Sequence, residues 1–152
     1  MRSRTANWFL CKIRYEKTLE DGLQKKVIEQ YVVNAMSFTE AEARIIDNMK
    51  AYINGEFDVA EIDRCVFGEI FFDDEDMADK WYKSKLQFIT IDEKTEKEKK
   101  TSVYYLVQGS SLENARKNID EVMGGTMIDY VISSVSETKI MDVFECGAPS
   151  KE

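Results

Sequence analysis

Most of the stretch from Trp8 to Phe71 is written a second time 73 residues further along the chain. The shift lays Trp8-Phe9 on Trp81-Tyr82, Lys12 on Lys85, Tyr31 on Tyr104, Ser37 on Ser110, Ile46-Asp47 on Ile119-Asp120 and Phe57 on Tyr130. It also lays Val59 on Ile132, Ile62 on Val135, Glu69-Ile70 on Asp142-Val143 and Phe71 on Phe144. An internal duplication of this kind limits the fold to one supersecondary unit built twice. The unit is longer than a solenoid repeat, and two copies predict a single pseudo-symmetric domain over 1–152. In that reading the repeats, about 8–72 and 81–144, share a core, and 145–152 forms a flexible tail.

Within each copy the hydrophobic period changes in the same order. Phe9, Cys11, Ile13 and Tyr15 alternate with Trp8, Leu10, Lys12 and Arg14, the period of a half-buried strand with Lys12 and Arg14 on its wetter face. Asp21-Gly22 offers a turn with positive φ before a second strand, V-I-E-Q-Y-V-V. Ser37-Phe38-Thr39-Glu40 has capping-box form, and Phe38, Ala41, Ile45, Met49 and Tyr52 recur at helical spacing behind it, with Asn54-Gly55 as the stop. The segment F-D-V-A-E-I alternates as a strand, and R-C-V-F-G-E-I-F-F closes the copy as a further strand or a bent continuation of it, with Gly68 as a bulge. In the second copy the same helix runs from about Leu112 to Met123 at a shift of 74, which predicts a residue inserted before it and removed after it, at Gly124-Gly125. D-E-K-T-E-K-E-K-K is a solvated hairpin tip. The fold class is therefore α+β: strand-strand-helix-strand-strand twice, about eight strands in mostly antiparallel sheet, with two main helices packed on it.

Composition narrows the function classes. With 43% hydrophobic and 33% charged residues the chain has enough apolar material for a core and is too polar for a membrane. The apolar run near the N-terminus is broken at Lys12, too short for a signal core or a spanning helix, so a cytoplasmic location is expected. A net charge of −8, with acids in excess in both halves, disfavours a nucleic-acid partner. Cys11, Cys65 and Cys146 are far apart and never in C-x-x-C spacing, which fits buried thiols and neither a disulfide framework nor a thiolate metal site. There is no His, which removes Ser-His-Asp and Cys-His mechanisms and most bases tuned near neutral pH. The Asp73-Asp74-Glu75-Asp76 run lacks the alternating oxygens, central Gly and terminal Glu of a calcium loop. Neither a metal nor a cofactor is expected, and no catalytic residue.

Taken from N-W-F-L-C-K-I-R-Y-E-K through S-F-T-E-A-E-A-R-I and G-E-I-F-F to G-T-M-I-D-Y and I-M-D-V-F, the chain resembles the domain-of-unknown-function family 4494 over about residues 7–144. That resemblance implies an accessory protein of bacteria, their phages or mobile elements, and it supplies no activity and no site residue. Read from the third strand of one copy into the next, four strands and a helix also follow in the order of the PUR and Whirly nucleic-acid-binding units, an analogy of element order alone.

A site in a duplicated chain is sought where repeated polar residues meet at the axis between the copies. The candidates are Lys12 with Lys85 as a cationic clamp, Trp8 with Trp81 as stacking aromatics, and Glu69 with Asp142 as paired carboxylates. Each has a plainer reading, as an outward strand residue, shared core, or a solvated acid; Asp47 and Asp120 read as solvated helix acids. The expected function is a non-enzymatic binding protein that recognises a protein partner through its sheet face or a strand edge. The alternatives are a nucleotide-type small-molecule binder at the axis and a PUR/Whirly-like single-strand binder. Oligomeric state is left open.

Overall fold

The computed structural model describes residues 1–147. Among them lie nine strands and two helices: β1 Arg2–Thr5, β2 Trp8–Thr18, β3 Gln24–Asn34, α1 Phe38–Lys50, β4 Phe57–Arg64, β5 Glu69–Phe72, β6 Lys80–Ile91, β7 Glu98–Gly109, α2 Leu112–Gly124, β8 Tyr130–Glu137 and β9 Ile140–Phe144. The α+β class holds, and β1 is the strand that the alternation did not announce. The strands form two sheets, ordered β4-β2-β3-β9 and β1-β5-β7-β6-β8.

The chain divides into two compact units, and the boundary does not separate the N-terminal half from the C-terminal half. The α1 unit contains Ala6–Cys65 with the segment from Lys139; the α2 unit contains Met1–Thr5 with Val66–Thr138. The last strand of each half thus joins the unit of the other half. β5 pairs in parallel with β7, and β9 in parallel with β3, whereas the remaining strand pairs are antiparallel. Parallel pairs need a crossover and not a tight turn, so the hairpin-dominated sequence pattern did not reveal them. The four consecutive strands β4 to β7 likewise belong to two different sheets, and the element order that suggested a PUR/Whirly-like unit does not correspond to one sheet.

The local chemistry explains the elements. Phe9, Cys11 and Ile13 are fully buried on the helix side of β2, against Ala41, Ile45 and Met49 of α1. Tyr82, Leu86, Tyr105 and Val107 do the same against Ala115, Ile119 and Met123 of α2. The helices start as their caps dictate: Ser37 Oγ accepts from the Glu40 amide at 3.1 Å, and Ser111 Oγ from the Asn114 amide at 3.1 Å. The reciprocal contact reaches one residue further than a capping box, since Glu40 Oε1 accepts from the Met36 amide and Asn114 Oδ1 from the Ser110 amide. Helix α1 ends at Lys50, before Asn54-Gly55, which instead forms the following turn with Gly55 at φ +112°. Phe38 and Tyr52, placed on the apolar stripe by spacing, are exposed at its two ends.

Register resolves the one-residue slip. Trp8 faces Asn34 in the first hairpin and Trp81 faces Gln108 in the second, so a shift of 73 on one strand becomes 74 on its partner. The extra residue therefore sits in the hairpin tip, between Ile91 and Glu98, and not just before α2. Tyr31 consequently corresponds to Tyr105, Ser37 to Ser111, and Asp47 to Glu121. Gly68 lies in the β4–β5 connection and makes no bulge; the register breaks fall opposite Lys12/Ile13 and Lys85/Leu86, where Ala60 and Ser133 are the extra residues. In the C-terminal segment Cys146 is held, not frayed, while 148–152 of the expected tail lie outside the described residues.

Candidate functional site

Alternation along β6 sends Tyr82, Ser84 and Leu86 toward α2 and Lys83, Lys85 and Gln87 to the opposite face. Cross-strand register surrounds these lysines with uncharged neighbours. Lys85 faces Tyr104 on β7 and Ser134 on β8; Lys83 faces Leu106 and Ser136; Gln87 faces Ser102. The Lys83 ammonium lies 5.5 Å from the centroid of the Tyr104 ring. None of these facing positions holds a carboxylate, in a chain of net charge −8.

The matching place in the α1 unit is neutralised. Lys12, the counterpart of Lys85, faces Glu61 on β4, and its Nζ lies 3.1 Å from Glu61 Oε2. Glu61 also shares a hydrogen bond with Asp63, which raises the Asp63 carboxyl above its usual range, while the Lys12 contact holds Glu61 below it. Glu61 and Asp63 correspond to Ser134 and Ser136. The two units thus carry the same lysine position, one with its carboxylate on the next strand and one with serine there.

That next strand, β8, is one of the two outer strands of its sheet. From Tyr130 to Ser136 it contains no charged residue and no Pro, and Val131 is 48% exposed. Its counterpart β4, an outer strand of the other sheet, carries Asp58, Glu61, Asp63 and Arg64. Charges of that kind obstruct the addition of a further strand, and β8 has none before its last residue, Glu137.

The residues singled out by repetition fall in separate units: Trp8, Lys12 and Asp142 in the α1 unit, Trp81, Lys85 and Glu69 in the α2 unit. Trp8 and Trp81 are 2% and 3% exposed, so neither presents a ring for stacking a ligand. Trp81 packs edge-on to Phe72 at 5.7 Å. Glu69 faces Tyr105 on β7, and Asp142 faces Tyr31 on β3. Asp120 accepts a hydrogen bond from the Tyr130 hydroxyl at 2.7 Å, which pushes the Tyr130 phenol up to about 12, and Asp47 is an exposed helix acid.

Two polar groupings escaped the sequence reading. In the α1 unit Tyr15 and Tyr31 both donate to Glu29 Oε1, at 2.7 and 3.2 Å. The counterparts in the α2 unit are Phe88, Val103 and Tyr105, so repetition gave no signal for it. The second grouping anchors the exchanged strands. Asn34, at the end of β3, donates to the Cys146 carbonyl at 2.9 Å and accepts from its amide at 2.7 Å. Gln108, its counterpart, accepts from the Asp73 amide at 3.0 Å and donates to the Ala78 carbonyl at 2.8 Å. Asn118 Nδ2 bonds both the Gln108 carbonyl and Asp73 Oδ2, so the first acid of the 73–76 run serves structure. Asparagine against glutamine is a substitution that residue-by-residue matching passes over.

An open groove of about 810 Å³ in the α1 unit runs beside α1 and β4. Its charged lining is Arg14 and Lys50 against Glu42, Glu56 and Asp58, a balance that does not favour a phosphate. Among the described residues no helix is long and apolar enough to cross a membrane, and no group of three or more Cys, Asp and Glu residues is placed to hold a metal ion.

Two helices and two mostly antiparallel sheets define an α+β protein. Residues 7–146 match the model of the domain of unknown function DUF4494, and the chain belongs to that family. No curated protein and no solved structure matches it.

Proposed function

We propose that the chain is a non-enzymatic binding protein that recognises a protein partner by taking an extended segment of it onto the β8 edge. The observation that carries this reading is the uncharged, proline-free stretch 130–136 of the outer strand β8, whereas the corresponding edge strand β4 is charged along its length. An outer strand offers a row of backbone N–H and C=O groups to an incoming chain, and strand addition draws its affinity from that row. Serine at 133, 134 and 136 keeps the approach open on the exposed side, and half-buried Ile132 and Val135 offer apolar contact on the other. Repeated residues that serve the core or structural pairs, together with the absence of His, support a role without chemistry.

The test is selection of ligands from a random displayed-peptide library, followed by hydrogen exchange of the complex. Extended, strand-forming peptides that slow exchange of the Val131–Val135 amides are expected, together with loss of binding in Val131→Lys, which puts a charge on the edge. Ligands that protect another surface, or that bind V131K as well as the parent, overturn the reading.

A further inference from the structure

We infer that the β8 edge is specific for an extended segment that alternates acidic and apolar residues, with its carboxylates held by Lys83 and Lys85. This rests on the reading of β8 as the binding edge and adds the chemistry of the partner. The α1 unit supplies the internal precedent: Lys12 on the second strand of its sheet takes a carboxylate from the next strand outward, Glu61 of β4, at 3.1 Å. In the α2 unit the lysine is kept at position 85, a second is added at position 83 where the α1 unit has Leu10, and the outward carboxylates are replaced by Ser134 and Ser136.

A strand added beside β8 would lie two strand spacings, about 10 Å, from β6. Its residues opposite Ser134 and Ser136 would point to the same face as Lys85 and Lys83. Serine is short enough for a glutamate of the added strand and a lysine of β6 to meet above it; a longer residue at 134 or 136 would close that route. The alternate residues of the added strand would lie on the α2 face, next to half-buried Ile132 and Val135, where an apolar side chain is favoured. Among the described residues Lys83 and Lys85 carry no ion pair with a carboxylate, so a partner's acids displace no internal carboxylate.

Fluorescence anisotropy with three labelled peptides, alternating Val-Glu, Val-Thr and Val-Lys, tests this against the whole chain. The Val-Glu peptide is expected to bind about tenfold tighter than Val-Thr, the sum of two partly exposed charge pairs, and Val-Lys weakest. Lys83→Ala with Lys85→Ala should bring Val-Glu to the level of Val-Thr, leaving the thermal unfolding of the chain unchanged, and added salt should do the same. Equal binding of Val-Glu and Val-Thr, both lost in V131K, overturns the acidic preference and leaves the edge reading standing. A preference for Val-Glu that survives in V131K overturns the edge reading as well. Absence of Val-Glu binding overturns the inference outright. Lysine-dependent binding of a labelled oligothymidylate that Val-Glu does not compete away also overturns it, and assigns the face to phosphate.

Discussion

Replacing Asn34 by alanine should loosen the strand that the second half of the chain contributes to the α1 unit. Strand β9 is short, lies at the edge of its sheet and is held to β3 by four register pairs from Gln30↔Ile140 to Val33↔Phe144. Asn34 extends that ladder by one step, its amide group standing in for a backbone peptide opposite Cys146. Each such bond contributes about 0.5–1.5 kcal/mol net, and a donor or acceptor left buried without a partner costs more. Asn34 is 7% exposed, but Cys146 is only half-buried and water can reach its freed groups, which puts the loss in the lower half of the range, about 1–2 kcal/mol for the two bonds. For a chain of this size that corresponds to a fall in Tm of about 2–8 °C. The site-resolved readout is hydrogen exchange, in which the Val143 and Phe144 amides should speed up before those of β2. Asn34→Asp should lose the bond to the Cys146 carbonyl and keep the one from its amide, giving an intermediate effect. Exchange at Val143 and Phe144 unchanged in N34A, or a loss of the same size in N34D, would refute the view of Asn34 as a two-point anchor.

Three further outcomes follow from titratable groups that their surroundings shift. Cys11 is fully buried and its thiol is pushed up to about 12, so iodoacetamide at mildly alkaline pH should leave it unmodified in the native chain and modify it in guanidinium, as read by peptide mass spectrometry. Partial desolvation beside β3 raises the carboxyl of Asp142, an otherwise exposed residue, above its usual range, outweighing the Val143 amide that lowers it. Such a group favours the folded state below its unfolded pKa and loses that favour as pH rises through the folded one, so Asp142→Asn should be the more stable form at neutral pH, with the difference vanishing in acid in urea melts across pH. Burial, and then the Glu29 carboxylate, push the Tyr15 phenol up to about 12 and raise Tyr31 as well. Both phenols stabilise the fold below the unfolded value of about 10 and withdraw that support as pH climbs through their folded values; Glu29→Gln should lower the pH at which phenolate absorbance appears.

Legibility in the sequence followed the range of the interactions. Period-two alternation along Trp8–Tyr15, the Gly22 turn, and the serine cap at 37 depend on residues within a turn or a strand of each other, and all stand in the sequence. So does the recurrence of the same element order in both halves. What the sequence could not carry was the partner of a strand. E-I-F-F and I-M-D-V-F have apolar residues to bury on either side, and their period is satisfied in either sheet; distant groups, Gln108 and Asn34 at the end of another strand and Asn118 on α2, fix where they go. The candidate site divided the same way. Lys12 and Lys85 stood out by repetition, but whether each meets a carboxylate depended on what lies across the sheet, Glu61 in one unit and Ser134 in the other. A strand's own sequence sets which of its faces is buried, while its neighbours, chosen by hydrogen bonds between residues far apart in the chain, set what its exposed face can bind.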